Sequence, residues 1–264
     1  MKTLSFSKYH GTGNDFVIID NRQHSFPKNN TELIAELCNR RFGVGADGLI
    51  LLEACESNDF KMIYYNSDGN LSSMCGNGGR CLVHFAAKLG IINDQAVFEA
   101  VDGVHDATIN GDVVELGMND VNDIELGDGY GYMDTGSPHY LSFEEDIDEL
   151  DLVLKAHEIR YNDRFKEKGT NVNYLQMNGT TLKMRTYERG VEAETLSCGT
   201  GVVAAAIYAD VLGKTTYGEG GIKLSTKGGD VNVKFQKNEG NHYSEIKLIG
   251  SATFVYKGEI NVRL

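Results

Sequence analysis

The chain has no long hydrophobic run, since no apolar stretch approaches the roughly 20 residues that a membrane-spanning helix needs. The opening residues, Met1 to Ser7, contain no apolar signal core. Basic residues are few, 25 against 38 acidic ones, and the formal charge of -13 repels nucleic acid and anionic membranes. We therefore expect a cytoplasmic protein that acts on a small molecule, without nucleic-acid or membrane partners.

Cysteine is sparse, and cofactor motifs are missing. The cysteines are Cys38, Cys55, Cys75, Cys81 and Cys198. Their odd number and wide spacing predict reduced thiols rather than a disulfide framework or a zinc site. No P-loop ending and no histidine pair at metal-ligand spacing occurs. The glycines at 43, 45 and 48 match a dinucleotide-binding pattern but follow a predicted helix and precede a predicted strand, which is the wrong order. The sequence predicts neither cofactor nor metal.

One cysteine phrase occurs twice. Cys75 and Cys198 each begin Cys-Gly-x-Gly, followed by an apolar stretch that ends in a Leu-Gly pair at Gly90 and Gly213. A repeated reactive residue at a repeated local geometry predicts two similar domains that present two thiols to one shared cleft. Paired groups of this kind suit proton transfer on two faces of a substrate.

The apolar patterns predict an α+β fold with two pseudo-symmetric domains, each a mixed curled β-sheet around a central buried helix. Residues 82–89 recur at helical spacing, and residues 202–212 are apolar almost all round, which is typical of a buried helix. A further helix begins at Asn30 or Thr31 and stops near Gly43. Predicted strands cover residues 4–9, 16–19, 49–52, 60–65, 113–118, 172–176, 182–187, 231–235, 245–249 and 253–256.

The domain boundary is expected in the acidic, glycine-containing segment from Asn119 to Asp128. We expect a first domain over residues 1–118, which carries the first cysteine phrase, and a second over residues 119–264. Pseudo-symmetry suggests that the last strand, about 253–264, crosses back to the first domain. A content of 41% hydrophobic residues is enough to fill two cores.

A cysteine followed by Gly-x-Gly at a helix start has a physical logic. The free amide groups and the positive end of the helix dipole lower the thiol pKa from about 8.5 towards neutrality and also bind an anion. Each copy would therefore supply a base and a cradle for a carboxylate. A buried structural cysteine beside flexible glycines is the simpler interpretation of one copy, and the matched spacing of two copies argues against it.

Polar turns precede both cysteines, Asn66 to Gly69 in one case and Glu188 to Gly190 in the other. Such turns commonly do no more than cap helices. Here an amide, a carboxylate and a guanidinium converge on the predicted cleft, which suits a substrate with both ammonium and carboxylate groups. A further turn, Gly136 to His139, ends in a histidine whose role, structural or functional, the sequence leaves open.

In these motifs, the chain resembles the diaminopimelate epimerases, a family of cofactor-independent amino-acid epimerases. The likeness extends over nearly the whole chain and is carried by residues 8–15, 66–69, 74–81, 136–139, 171–176 and 188–201. Asn77 is typical of this family, whereas the related proline racemases carry histidine at that place. The related isomerases of the phenazine pathway do not keep both cysteines.

The resemblance implies that Cys75 and Cys198 are the two acid-base residues that interconvert LL- and meso-diaminopimelate, in lysine and cell-wall precursor synthesis. It leaves a homodimer open. The other implied site residues are Gly76, Asn77, Gly199 and Thr200 for the reacting carboxylate, Asn14 and Glu188 for the reacting ammonium, Asn66, Asn171 and Arg189 with Ser137 for the distal amino-acid end, and His139 in a supporting role.

Three positions depart from the family pattern. Ser137 stands where many members carry asparagine, and Gly48 stands where some place a glutamine near the substrate. Residues 191–194 form a segment one residue longer than usual, which leaves the alignment of Glu194 open. The alternatives are a related racemase of the proline racemase type, a thiol redox protein, and a non-catalytic amino-acid-binding protein. The redox reading explains the thiols but not the matched helix starts.

Overall fold

The computed structural model describes residues 2–215 and 220–262. These residues belong to two compact units. Unit 1 comprises the chain up to Leu116 together with the segment from Gly250 onwards, and unit 2 is Gly117–Ile249. The change of unit falls just before residue 119, where the second domain is expected to start. Residues 263 and 264 of the expected last strand lie outside the described residues.

The first part of unit 1 contains seven strands and two helices. In chain order they are β1 (Lys2–Gly11), β2 (Asn14–Asp20), α1 (Thr31–Cys38), β3 (Gly48–Glu53), β4 (Phe60–Asn66), α2 (Gly76–Lys88), β5 (Gln95–Ala100), β6 (Gly103–Asn110) and β7 (Val113–Gly117).

Unit 2 follows with nine strands and two further helices, and a last strand then returns to unit 1. They are β8 (Ile124–Gly127), β9 (Tyr130–Asp134), β10 (Pro138–Phe143), α3 (Leu152–Arg160), β11 (Asn171–Asn178), β12 (Thr181–Glu188), β13 (Ala193–Thr195), α4 (Gly199–Val211), β14 (Ile222–Thr226), β15 (Gly229–Lys237), β16 (Tyr243–Ser251) and β17 (Thr253–Val262).

The two units repeat one strand order. In unit 1 the neighbours run β17-β1-β2-β3-β4-β5-β6-β7, and all pairs are antiparallel except β2–β3 and β4–β5. In unit 2 they run β8-β9-β10-β11-β12-β14-β15-β16, and all are antiparallel except β10–β11 and β12–β14. Parallel and antiparallel pairs therefore recur in the same places, which confirms the predicted pseudo-symmetric mixed sheets. The short β13 is an addition on β12.

A central helix of 13 residues occupies each unit. α2 packs against β1, β2, β3, β4 and β6, and α4 packs against β9, β10, β11, β12, β14 and β15. α4 is buried all round from Gly199 to Ala209, as its sequence predicts. Truncating a fully buried side chain such as Ile207 to alanine would cost about 2–5 kcal/mol. The two helices thus hold their N-terminal ends in fixed places within their own units.

Two local predictions need correction. α1 begins as expected, since the Asn30 side chain accepts from the Leu33 N–H at 3.0 Å. It ends at Cys38 rather than near Gly43 because Asn39 adopts extended backbone angles and its side chain accepts the N–H groups of Arg41 and Phe42. The predicted turn from Gly136 to His139 is also wrong in part, because Pro138 begins β10 and His139 is a buried strand residue.

No helix within the described ranges is both long enough and apolar enough to cross a membrane.

Candidate active site

Cys75 and Cys198 occupy equivalent positions at the starts of α2 and α4. Each is the N-cap of its helix, with φ -113° and ψ 116° at Cys75 and φ -115° and ψ 113° at Cys198. Their carbonyl groups accept the first helical hydrogen bonds, from Gly79 N–H at 2.7 Å and from Val202 N–H at 2.9 Å. The first-turn amides after each cysteine have no acceptor within the helix, so each thiol stands at a positive helix end.

The second glycine of each phrase lets the helix start approach the sheet closely. A Cβ at Gly78 would lie 2.9 Å from Cδ1 of Ile50, and a Cβ at Gly201 would lie 2.9 Å from Oδ1 of Asn173 and 3.2 Å from Cε1 of His139. Real Cβ atoms essentially never come closer than about 3 Å to such neighbours. These glycines therefore serve close packing, and neither has a positive φ.

Asn14 contacts the first thiol through its side-chain amide. We call Cys75, Asn14, Asn77 and the side chains that hold them the Cys75 half-site. The Cys75 thiol donates to Oδ1 of Asn14 at 3.6 Å, and Nδ2 of Asn77 donates to the same oxygen at 3.3 Å. Nδ2 of Asn14 donates to Oδ2 of Asp47 at 2.8 Å. Because a carboxylate only accepts hydrogen bonds, Asp47 fixes the amide so that its oxygen faces the sulfur.

Asn77 is fixed in turn by Arg80, whose side chain is fully buried. The guanidinium donates to Oδ1 of Asn77 at 3.0 Å and to Oγ1 of Thr12 at 3.2 Å. Its Nε has no hydrogen-bond partner among the described residues. Burial lowers the pKa of Arg80, and the neighbouring thiols of Cys81 and Cys75 oppose that change. The sequence gives no signal for this arginine, because a charge within a helix usually predicts an exposed face.

An ion-pair cluster supports Asp47 from the far side. Arg40 donates to Asp47 at 2.7 Å and to both carboxylate oxygens of Asp15 at 2.7 and 2.9 Å. Lys8 pairs with Asp15 at 2.7 Å. Burial opposes ionisation of Asp15, but the hydrogen bonds from Arg40 and Lys8 outweigh it and lower the pKa of Asp15 to about 2.

Asn66 ends β4, where it pairs with Gly48 on β3. Its carbonyl accepts from Gly69 N–H at 2.9 Å, which closes the predicted polar turn. A Cβ at Gly48 would lie 2.5 Å from Cε2 of Tyr64. The Tyr64 ring therefore occupies the space in which a longer side chain at position 48 would begin.

A buried chain of side chains runs to the second thiol. We call Cys198, Thr200, His139 and the side chains that hold them the Cys198 half-site. Oγ1 of Thr200 lies 3.5 Å from Sγ of Cys198 and 2.9 Å from Nε2 of His139. Burial, together with the positive charge of Arg189, lowers the pKa of His139 to about 3. The imidazole is therefore neutral near pH 7.

Asn173 is a residue of this half-site that sequence reasoning missed. Its Nδ2 lies 3.1 Å from Nδ1 of His139 and donates to the Tyr140 carbonyl at 2.9 Å, and its Oδ1 accepts from Oγ1 of Thr186 at 2.9 Å. Asn173 and Thr186 are direct neighbours across β11 and β12. A signal did exist, because Asn173 comes two residues after Asn171 and so faces the same side of its strand.

Three of the residues expected at the distal end of the substrate lie together. The Arg189 N–H donates to Oδ1 of Asn171 at 2.8 Å, and its guanidinium reaches Oγ of Ser137 at 3.4 Å and the Lys168 carbonyl at 3.0 Å. A Cβ at Gly169 would lie 2.6 Å from Cδ of Arg189, so this glycine makes room for the arginine. Asn66, expected beside them, belongs to unit 1.

The acidic residues around position 190 have different settings. Glu188 ends β12, the place in unit 2 that Asn66 takes in unit 1. Glu192 braces the turn by accepting from Arg160 at 2.9 Å and from the Tyr187 hydroxyl at 2.8 Å. Glu194 forms a two-point ion pair with Arg185, at 2.7 and 2.9 Å, and pairs with Lys227 at 2.8 Å. These contacts give Glu194 a structural role on β13.

Comparison with known proteins identifies the family. The family model for diaminopimelate epimerase matches residues 6–122 and 131–255. This chain belongs to the diaminopimelate epimerase family. A diaminopimelate epimerase of Flavobacterium psychrophilum is 51% identical over 259 residues, which cover 97% of this chain and 100% of that protein. One of Chlorobaculum tepidum is 42% identical over 262 residues, which cover 96% and 99% of the two chains.

Solved structures with the same fold are more distant in sequence. A Bacillus anthracis phenazine biosynthesis protein of the PhzF family has a TM-score of 0.73 at 14% identity and covers 99% of this chain and 100% of its own. A hydroxyproline epimerase from Agrobacterium vitis, with bound trans-4-hydroxy-L-proline, has a TM-score of 0.69 at 13% identity and covers 98% and 92%. At such identities these structures support the fold alone.

Proposed function

We propose that this protein is an isomerase that interconverts LL- and meso-diaminopimelate without a cofactor, with Cys75 and Cys198 as its two acid-base groups. The observation that carries the proposal is the pair of N-cap cysteines, which share one backbone conformation at two matched helix starts. The names of the relatives that are 51% and 42% identical support the substrate. A cytoplasmic location, with a role in lysine and cell-wall precursor synthesis, is part of the proposal.

In this mechanism one thiolate removes the α-proton of the substrate, and the other thiol delivers a proton to the opposite face of the carbon. The α-proton of an amino acid is very weakly acidic, so the strength of the base alone is not sufficient. The amide groups of Gly76, Asn77, Gly199 and Thr200 would hold the α-carboxylate and stabilise the charge that develops on it. Excluding water would strengthen these interactions.

The mechanism also requires that the two thiols share about one proton. Two thiolates acting on one carbon would repel each other, and the pair would therefore titrate as a coupled unit. The half-protonated state has both the base and the acid that a two-base epimerase needs. The pair then supplies both groups without an external proton donor, and the thiol that holds the shared proton decides which configuration can react.

The substrate is recognised at both of its amino-acid ends. Asn14 and Glu188 would contact the reacting ammonium group. Arg189 offers a planar pair of donors, which matches a carboxylate better than a lysine would. Asn171, Ser137 and Asn66 would complete the contacts to the distal end.

Solvent deuterium exchange tests this proposal directly. In heavy water, LL-diaminopimelate should gain deuterium at an α-carbon while the meso isomer forms, as followed by proton NMR and mass spectrometry. Lysine, which lacks the distal carboxylate, should exchange far more slowly. A redox or purely binding protein would exchange neither compound, and a proline racemase would exchange proline instead. Absence of exchange with diaminopimelate in folded, reduced protein would refute the proposal.

A further inference from the structure

The hydrogen bonds of the Cys198 half-site have a fixed direction. The Tyr140 carbonyl can only accept, so the Asn173 atom beside it is the amide nitrogen, 2.9 Å away. The same nitrogen also lies 3.1 Å from Nδ1 of His139, which must therefore be the unprotonated ring nitrogen. Thr186, at 2.9 Å from the amide oxygen, supports this orientation from the other side.

The direction continues through the imidazole to the sulfur. A neutral imidazole with an unprotonated Nδ1 carries its proton on Nε2, so His139 donates to Oγ1 of Thr200 at 2.9 Å. With that oxygen already accepting, the Thr200 hydroxyl hydrogen turns to Sγ of Cys198 at 3.5 Å. Cys198 is thus the acceptor at the end of the chain, and a hydrogen bond to the charged form favours that form.

The Cys75 half-site ends with the opposite polarity. Asp47 accepts from Nδ2 of Asn14, so the amide oxygen of Asn14 points at the sulfur of Cys75. That oxygen only accepts, so the favourable partner is a protonated thiol. A thiolate at Cys75 would face the negative end of the amide dipole.

Charged groups act on both thiols. Arg80 lies five residues after Cys75 and favours an anion there, but its hydrogen bonds reach the oxygens of Gly76, Asn77 and Thr12. Cys81, the next residue of α2, is a second thiol beside Arg80. In the Cys198 half-site, the positive charge of Arg189 acts on His139. The carboxylate residue Glu188 lies at the end of β12. At Cys75, the direct contact with Asn14 disfavours a thiolate and so opposes the more remote attraction of Arg80. At Cys198, the contact with Thr200 favours a thiolate.

We propose that in the substrate-free protein Cys198 is the thiolate and Cys75 holds the shared proton, with Asn173 as a positioning residue that sets this state through His139 and Thr200. This inference rests on the proposed two-thiol function and assigns the resting proton within it. It gives the two otherwise matched half-sites distinct starting roles.

Titration of each thiol alone tests the assignment. Cys75→Ser protein retains Cys198 and Cys198→Ser protein retains Cys75, which removes the mutual repulsion of the pair. Iodoacetamide alkylation would be measured against pH, with each cysteine quantified by peptide mass spectrometry. The two thiols are compared by the pH at the midpoint of each profile, because the alkylation rate also depends on how accessible each thiol is. Cys198 should titrate about one pH unit or more below Cys75. Equal midpoints, or a lower one at Cys75, would overturn the proposal.

Variants of the chain of side chains test the part played by Asn173. Asn173→Asp places a carboxylate against Nδ1, draws the imidazole proton there and leaves Nε2 to accept from Thr200. The Cys198 midpoint should then rise by about one pH unit, while that of Cys75 stays unchanged. Asn178→Asp adds the same charge at the exposed end of β11 and is the matched control. An unchanged Cys198 midpoint in folded Asn173→Asp protein would contradict the positioning role.

A second pair of variants decides the matter if Asn173→Asp does not fold. Thr200→Val removes the hydroxyl and should raise the Cys198 midpoint, whereas Thr200→Ser should restore it. The proposal would be overturned if Cys198 had the same midpoint pH in the Thr200→Val and Thr200→Ser proteins. Deuterium exchange in the unmodified protein separates the two proposals. If the protein exchanges deuterium but Cys75 has a lower midpoint pH than Cys198, only the proton assignment is refuted. If the protein does not exchange deuterium, the proposed epimerase function is refuted.

Discussion

The backbone N–H of Arg189 is fastened to the side-chain oxygen of Asn171 at 2.8 Å. Arg189 follows the last residue of β12, and Asn171 is the first residue of the neighbouring strand β11. The guanidinium is also anchored to the Lys168 carbonyl at 3.0 Å. The arginine that we assign to the distal carboxylate is therefore preorganised, and binding need not immobilise a freely rotating side chain.

Arg189→Lys should weaken recognition of diaminopimelate. A lysine keeps the charge but loses the planar pair of donors, so KM should rise about tenfold or more while kcat changes less. Steady-state kinetics in both directions provide the measurement. Arg164→Lys, which alters an arginine paired with Glu125 away from both half-sites, is the control and should leave KM unchanged. A normal KM for Arg189→Lys would remove this residue from the substrate contacts.

Replacing either N-cap cysteine should stop turnover without unfolding the protein. Cys75→Ala and Cys198→Ala each remove one of two acid-base groups, whose individual contribution is about 10²–10⁴ in rate. Epimerisation should fall by at least this factor, and circular dichroism should stay that of the unmodified protein. Cys55→Ala, at a half-buried cysteine beside Glu99, should retain full activity. Near-normal turnover by either N-cap variant would be incompatible with the two-base mechanism.

The two glutamates on either side of the turn after β12 should respond in opposite ways. Glu188→Gln should lose most activity, because Glu188 is assigned to the substrate ammonium. Glu194→Gln should keep activity and lose about 1–2 kcal/mol of unfolding free energy, because it weakens the two-point pair with Arg185. Urea unfolding and exchange assays on both variants check this contrast. The reverse result would place Glu194 at the substrate.

Asp15 should make stability depend on pH in the acid range. Its pKa falls from 3.8 to about 2 in the folded protein, so its ion pairs stabilise the fold fully above about pH 4. That contribution is lost as the pH falls through about 2. Asp15→Asn should therefore cost about 1 kcal/mol at pH 7, and the difference from the unmodified protein should shrink towards pH 2. Urea unfolding at several pH values measures it. Asp163→Asn, at a fully exposed carboxylate, is the control.

The sequence predicts the two helix starts because their signals are local. The glycines, the apolar stretch and the closing Leu-Gly pair all belong to one helix, and the structure places α2 and α4 where these signals predict. The strands β3 and β4 are also predicted nearly to their ends, since both are short apolar runs bounded by polar turns.

What the sequence does not predict depends on contacts between distant segments. Asn173 becomes informative only when β10 and β12 bring His139 and Thr186 to it. Arg80 carries a charge within a helix, and only the strands around α2 reveal that it is buried. Strands β8 and β9 lack a clear apolar period because acidic residues and glycine interrupt them, and basic and acidic residues do the same in the helix α3. Their positions are decided by pairing with neighbours.

The strand β17 has a consequence for how the chain folds during synthesis. It pairs with β1 from Lys2 to His10 and occupies in unit 1 the place that β8 holds in unit 2. Unit 2 is one continuous segment, so the ribosome releases all of it before unit 1 receives its last strand. We expect unit 2 to reach its native state first, and β1 to be an edge strand, paired with β2 alone, until residues 253–262 emerge. Hydrogen exchange of chains stopped at residue 249 should show protected α4 amides and unprotected amides in residues 2–6 of β1, which pair with β17 and not with β2. Protection of residues 2–6 in such chains would contradict this order.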